Sequence, residues 1–101
     1  MRQPGTQAAQ VGGVINTQVT LVYEFVEPVR APDLTLYVAR VYGQPREDGT
    51  WEGWLEFSNP LTGTLRTDRE TTQSNVEQLT YWATGLEPTY LDGALMRALR
   101  R

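Results

Sequence analysis

The sequence predicts an α+β fold: an antiparallel β-meander of three to four strands followed by two C-terminal helices packed on one face. Three observations predict it. Apolar residues alternate with a period near two over residues 14–26, 34–42 and 50–57. The period turns helical after residue 75, and the segments between the strands are short and rich in Pro, Gly, Asn and Asp. Such turns join antiparallel neighbours and are too short for parallel crossovers. The chain divides into a flexible N-terminal arm at 1–13, polar and marked by Pro4, Gly5, Gly12 and Gly13, and one α+β domain at 14–101.

The first strand, 14–26, places Ile15, Val19, Leu21, Tyr23 and Phe25 on one side, with Asn16, Gln18, Thr20 and Glu24 mainly on the other. Glu27-Pro28 ends it, because proline cannot donate to a ladder, and Ala31-Pro32-Asp33 continues the turn. Residues 34–42 form a second strand that is apolar on both sides, Leu34, Leu36 and Val38 against Tyr37, Ala39 and Val41. The loop at 43–49 ends in Asp48-Gly49, residue types that tolerate positive φ. In the third strand Trp51, Gly53, Leu55 and Phe57 share a side opposite Glu52, Trp54 and Glu56, and residues 64–67 suggest a short fourth strand.

Ser74-Asn75-Val76-Glu77 has the form of a capping box and opens a helix with Val76, Leu79, Trp82 and Ala83 inward. Gly85 suits a left-handed helix end, and Pro88 the first turn of a second helix whose stripe is Leu91, Leu95, Ala98 and Leu99. The helices are expected to lie across the face carrying Leu21, Phe25, Leu55 and Phe57. Arg97, Arg100 and Arg101 stand near the C-terminal end of the second helix, where its dipole favours positive charge.

The residues that are missing narrow the function. The 101 residues suffice for one core, and they contain no Cys, no His and no Lys, all nine basic residues being Arg. Thiolate nucleophiles, Ser-His-Asp triads, ordinary zinc or haem sites, Schiff-base lysines and phosphate-loop lysines are therefore excluded. Glu52 and Glu56 flank Trp54 in the manner of a sugar site. Four residues along a strand nevertheless separate them by about 13 Å, beyond the range of paired glycosidase carboxylates. The reading is a non-enzymatic protein with no catalytic residues, no metal and no cofactor. A net charge of −3 disfavours a nucleic-acid partner, and the absence of any long apolar stretch, including at Met1-Arg2-Gln3-Pro4-Gly5, points to no membrane partner and a cytoplasmic location.

Two surfaces are candidates for binding. With both helices on one face, Tyr37, Ala39, Val41 and Trp54 form an exposed apolar sheet face, joined by Val22 and Val26, where a protein partner or a second copy in a homodimer docks. Helices split between the faces, or an arm laid over this one, would cover it instead. The alternative is an anion site made by Arg66, Arg69, Thr72 and Ser74 with the helix N-terminus near Ser74; against it, Asp68 and Glu70 can neutralise both arginines.

The series Trp51-Glu52-Gly53-Trp54-Leu55-Glu56-Phe57, Leu65-Arg66-Thr67, Arg69-Glu70-Thr71-Thr72-Gln73, Leu79-Thr80-Tyr81-Trp82-Ala83 and Tyr90-Leu91-Asp92-Gly93-Ala94-Leu95 resembles a group of small uncharacterised bacterial proteins of unknown function over residues 34–99. The resemblance implies a bacterial origin and carries no activity, ligand or site residue. The residues themselves lead to an accessory subunit or interaction module.

Overall fold

A computed structural model describes residues 18–101, which form an antiparallel sheet of six strands followed by two C-terminal helices. The expected arm and the start of the expected first strand lie outside the described residues. The strands are β1 (Thr20–Glu24), β2 (Val29–Arg30), β3 (Leu36–Pro45), β4 (Trp51–Asn59), β5 (Gly63–Arg66) and β6 (Thr71–Gln73); the helices are α1 (Val76–Thr84) and α2 (Pro88–Leu99). The strand count exceeds the expected three to four because both edges of the sheet are split. β1 and β2 pair in turn with the same side of β3, and β5 and β6 pair in turn with β4.

The central β3–β4 hairpin closes through a hydrogen-bonded turn and one left-handed residue: Arg46 N–H donates to Thr50 O at 2.7 Å, Gly49 N–H to Arg46 O at 3.0 Å, and Gly49 has φ +90°. The resulting register pairs Val41 with Leu55 and Ala39 with Phe57. Side chains alternate along a strand, so Tyr37, Ala39, Val41, Leu55 and Phe57 share one face. The helices cover it, and Ala83, Leu91, Ala94, Leu95 and Ala98 complete the core. Leu55 and Phe57 thus face the helices as expected. Leu21 does not, because a bulge between Leu21 and Tyr23 leaves Leu21 beside Tyr42 on the open face and puts Tyr23 beside Val41 under the helices.

Helix α1 docks through Leu79, which is fully buried over the register partners Gly43 and Gly53. A Cβ on Gly43 would lie 2.5 Å from Leu79 Cδ2, and one on Gly53 would lie 2.6 Å from Leu79 Cδ1. The two glycines are a slot for this leucine, which is why Gly43 belongs to β3 rather than to the hairpin loop. The helix is capped by Asn75, whose Oδ1 accepts from Gln78 N–H at 2.8 Å, one residue later than the expected Ser74. Its end also differs from expectation: Gly85 has φ −93° and bonds back through its own N–H, with no left-handed turn.

Helix α2 starts on Pro88, as its restricted φ favours, and packs on β2 at one edge of the sheet and on β5 at the other. A helix of this length spans about 18 Å, enough to cross four strands spaced at about 4.8 Å. Leu91, Ala94, Leu95 and Ala98 are buried, whereas Leu99 at the end of the expected stripe is exposed. Among the described residues no helix is long and apolar enough to cross a membrane.

Candidate functional site

The structure corrects the apolar sheet face proposed from sequence. Tyr37, Ala39 and Val41 lie beneath the helices with exposures of 5%, 0% and 0%, while Trp54 lies on the opposite face of the sheet. The cause is register. β3 is apolar on both sides, so alternation alone does not say which side meets Leu55 and Phe57, and a one-residue difference in pairing exchanges the faces. Here even-numbered residues pair with even, placing Tyr42 opposite Trp54.

Trp54 is nevertheless only 2% exposed. The Arg66 guanidinium lies over its ring, 4.4 Å from the centroid, and the indole N–H donates to Glu56 Oε2 at 3.1 Å. The surrounding open face is polar and internally paired. Arg40 donates to Glu24 at 2.7 Å and to Ser58 at 2.8 Å, and Glu52 accepts from Gln44 at 2.7 Å and from Arg46 at 3.2 Å. Apolar surface on this face is confined to the half-exposed Leu21 and Leu36, and Trp54 itself is covered.

Nor does the structure bring together Arg66, Arg69, Thr72 and Ser74. Arg66 is committed to Trp54, and Thr72 projects beside Glu52 on the open face. Ser74 precedes the helix without capping it, and Arg69 stands at the far end of β6 from the α1 N-terminus. The expected anion site is therefore dispersed, with only Arg69 entering a concavity.

Two concavities arise where the edge strands are split. On the first edge, residues 25–28 bulge between β1 and β2, and the start of α2 faces the bulge across an apolar notch of about 250 Å³. Tyr23, Phe25, Val26, Pro28, Leu86 and Leu91 supply most of its apolar wall. Phe25 is anchored by its N–H bond to Ala39 O and by edge-on contact with Tyr23, the ring centroids 4.9 Å apart. Val26 stands on the lip, 90% exposed, and Glu27, Arg30 and Asp92 charge the rim.

On the second edge, Thr67 and Glu70 keep the ladder to β4, while Asp68 and Arg69 loop outward. Thr67 N–H donates to Leu55 O at 2.9 Å, its hydroxyl accepts from Leu55 N–H at 3.1 Å, and Glu70 N–H donates to Gly53 O at 2.8 Å. The end of α2 faces this loop across a polar cleft of about 260 Å³ lined by Thr67, Asp68, Arg69, Glu70, Arg97 and Arg101. Glu70 is largely buried and accepts from both the Tyr90 hydroxyl and Arg97. Burial, and then this bond to the Glu70 carboxylate, push the Tyr90 hydroxyl up to about 12. Arg101 pairs with the exposed Asp68 at 2.9 Å.

Sequence reading missed both concavities because each joins distant segments. It placed Phe25 and Val26 at the end of a strand, Glu27-Pro28 as its stop and Pro88 at the start of a helix, although the apolar Val26, Val29 and Leu86 close to those prolines were a signal that these connections are partly covered. It treated Arg97 and Arg101 as complements to the helix dipole, whereas Arg97 on the last turn of α2 and Arg101 just past its end both reach the β5–β6 loop. No family model, curated protein or solved structure matches the chain.

Proposed function

We propose that the protein is a non-enzymatic interaction module, an accessory subunit that holds one apolar side chain of a protein partner in the notch between the β1–β2 bulge and α2. The single observation that carries this reading is an apolar concavity with the nearly fully exposed Val26 on its lip. Its volume falls just below the range typical of pockets for whole small molecules and suits a single large side chain. Burying a Leu- or Phe-sized anchor there is worth about 1.5–3 kcal/mol. Among the described residues β1 and β2 pair on one side only, so an extended segment has backbone groups to follow alongside the notch. Two of the three rim charges, Glu27 and Asp92, are acidic, which favours a basic residue beside the anchor. The partner is accordingly an extended segment with an apolar anchor flanked by Lys or Arg.

Selection of a displayed random-peptide library on the immobilised full chain tests this. Enriched peptides should share one large apolar residue with a basic neighbour and lose binding to Val26→Glu, a substitution at an exposed position that leaves the core intact. Binders that lack the pattern, or that bind Val26→Glu equally well, refute it. Self-association abolished by Val26→Glu would instead assign the notch to a second copy of the chain.

A further inference from the structure

We infer that the cleft between the β5–β6 loop and the end of α2 binds a phosphoryl group. Three arginines, Arg69, Arg97 and Arg101, line this one concavity. Arg69 comes from the β5–β6 loop, Arg97 from the last turn of α2 and Arg101 from just past its end, and a phosphoryl dianion offers three oxygens for several such cations. The protein's own carboxylates offset the charge only in part. Glu70, 8% exposed, accepts from one Arg97 nitrogen and from Tyr90, so its negative charge is already met from the protein side. Asp68 is 87% exposed and holds Arg101 through a single contact. A surface pair of that kind is weak and exchanges readily for a stronger anion. Arg69 makes no hydrogen bond or ion pair with the described residues, so its charge is available.

The cleft is also built to keep its shape. Arg97 is held by Glu70 and lies over the Tyr90 ring, its guanidinium carbon 5.8 Å from the centroid, and Tyr90 packs edge-on against Trp82 at 6.1 Å. Thr67, buried at the back of the cleft, is fixed by its bonds to Leu55. A phosphoryl group entering here replaces the Asp68 carboxylate at Arg101 and gains Arg69, while Glu70 continues to position Arg97. This site lies at the opposite edge of the sheet from the notch and does not depend on that reading.

Calorimetric titration of the full chain with inorganic phosphate and with glycerol phosphate, at low ionic strength, tests the inference. Saturable binding is expected, weakened about tenfold or more by Arg69→Ala and tightened several-fold by Asp68→Asn, which removes the competing carboxylate. Arg100→Ala removes the same charge from the same end of the protein but lies outside the cleft, so it should leave binding unchanged. Tighter binding of the ester assigns a phosphate monoester; equal binding assigns the free ion. The inference is overturned if phosphate does not bind saturably, if acetate binds as well as phosphate, or if Arg69→Ala and Arg100→Ala weaken binding equally, which is net charge alone. A circular-dichroism spectrum unchanged from wild type establishes that each variant is folded.

Discussion

Leu79 and Gly53 should be energetically coupled, and a double-mutant cycle can measure by how much. Leu79→Ala empties a fully buried site whose floor is two glycines with no side chains to collapse inward. Its cost therefore belongs in the upper half of the range for buried leucines, about 4 kcal/mol. Gly53→Ala places a methyl 2.6 Å from Leu79 Cδ1, while its next neighbours, Thr71 Cγ2 at 3.4 Å and Tyr42 O at 3.5 Å, are at ordinary contact. Overpacking of that kind costs about 1–3 kcal/mol, less about 0.4–1 kcal/mol recovered by stiffening the unfolded chain. In the double variant the clashing atom is gone and the new methyl fills part of the vacated slot. Independent effects would sum to about 5–6 kcal/mol, whereas the slot predicts about 3 kcal/mol and a coupling of about 2–3 kcal/mol. Guanidinium unfolding followed by tryptophan fluorescence gives all four stabilities. Additivity to within about 0.5 kcal/mol would show that Leu79 and Gly53 do not meet as described.

The β2–β3 hairpin offers a second prediction. It closes as β3–β4 does, with Leu34 N–H bonded to Ala31 O at 2.9 Å and Ala31 N–H to Thr35 O at 2.8 Å, but the left-handed position filled by Gly49 in one loop holds Leu34, at φ 74°, in the other. Leu34 is exposed, so Leu34→Gly should stabilise by about 0.5–1 kcal/mol and Gly49→Leu should destabilise by about 1–2 kcal/mol in chemical denaturation; a loss of stability in Leu34→Gly would refute the strain. Tyr90 contributes to alkaline stability. Its folded pKa of about 12 exceeds the ordinary 10.0, so the folded state holds the proton more tightly; the associated stability is present below pH 10 and is lost as pH rises through 12. Phenolate absorbance should show this late titration, and Glu70→Gln should bring it earlier. The same substitution should cost about 1–3 kcal/mol at neutral pH, because it weakens the buried acceptor for Arg97 and Tyr90; an unchanged melting temperature would contradict the role of Glu70.

The order of elements was legible in the sequence because period, turn residues and proline positions are local signals. Residues 76–84 and 88–99 read as helices from their apolar spacing, and Leu79, Ala83, Leu91, Leu95 and Ala98 were expected to face inward and do. Finer features depended on neighbours. Asn75 rather than Ser74 caps α1 although both are good capping residues, and Gly85 keeps a right-handed φ although glycine permits the other. The split edges were harder still: Thr67 was expected at the end of a short strand, but the return of Glu70 to the same ladder shows only once Gly53 stands beside it.

Composition and local pattern thus settle the α+β class, the antiparallel sheet ahead of two helices, and the chemistry unavailable to a chain without Cys, His or Lys. Which face of β3 is interior was decided by the hairpin register, because a strand apolar on both sides carries no preference of its own. The notch and the cleft were likewise decided by the path of α2. That helix brings Leu91 to Phe25 at one edge and Arg97 to Glu70 at the other, and segments so distant in sequence meet only when the whole sheet and helix layer pack together.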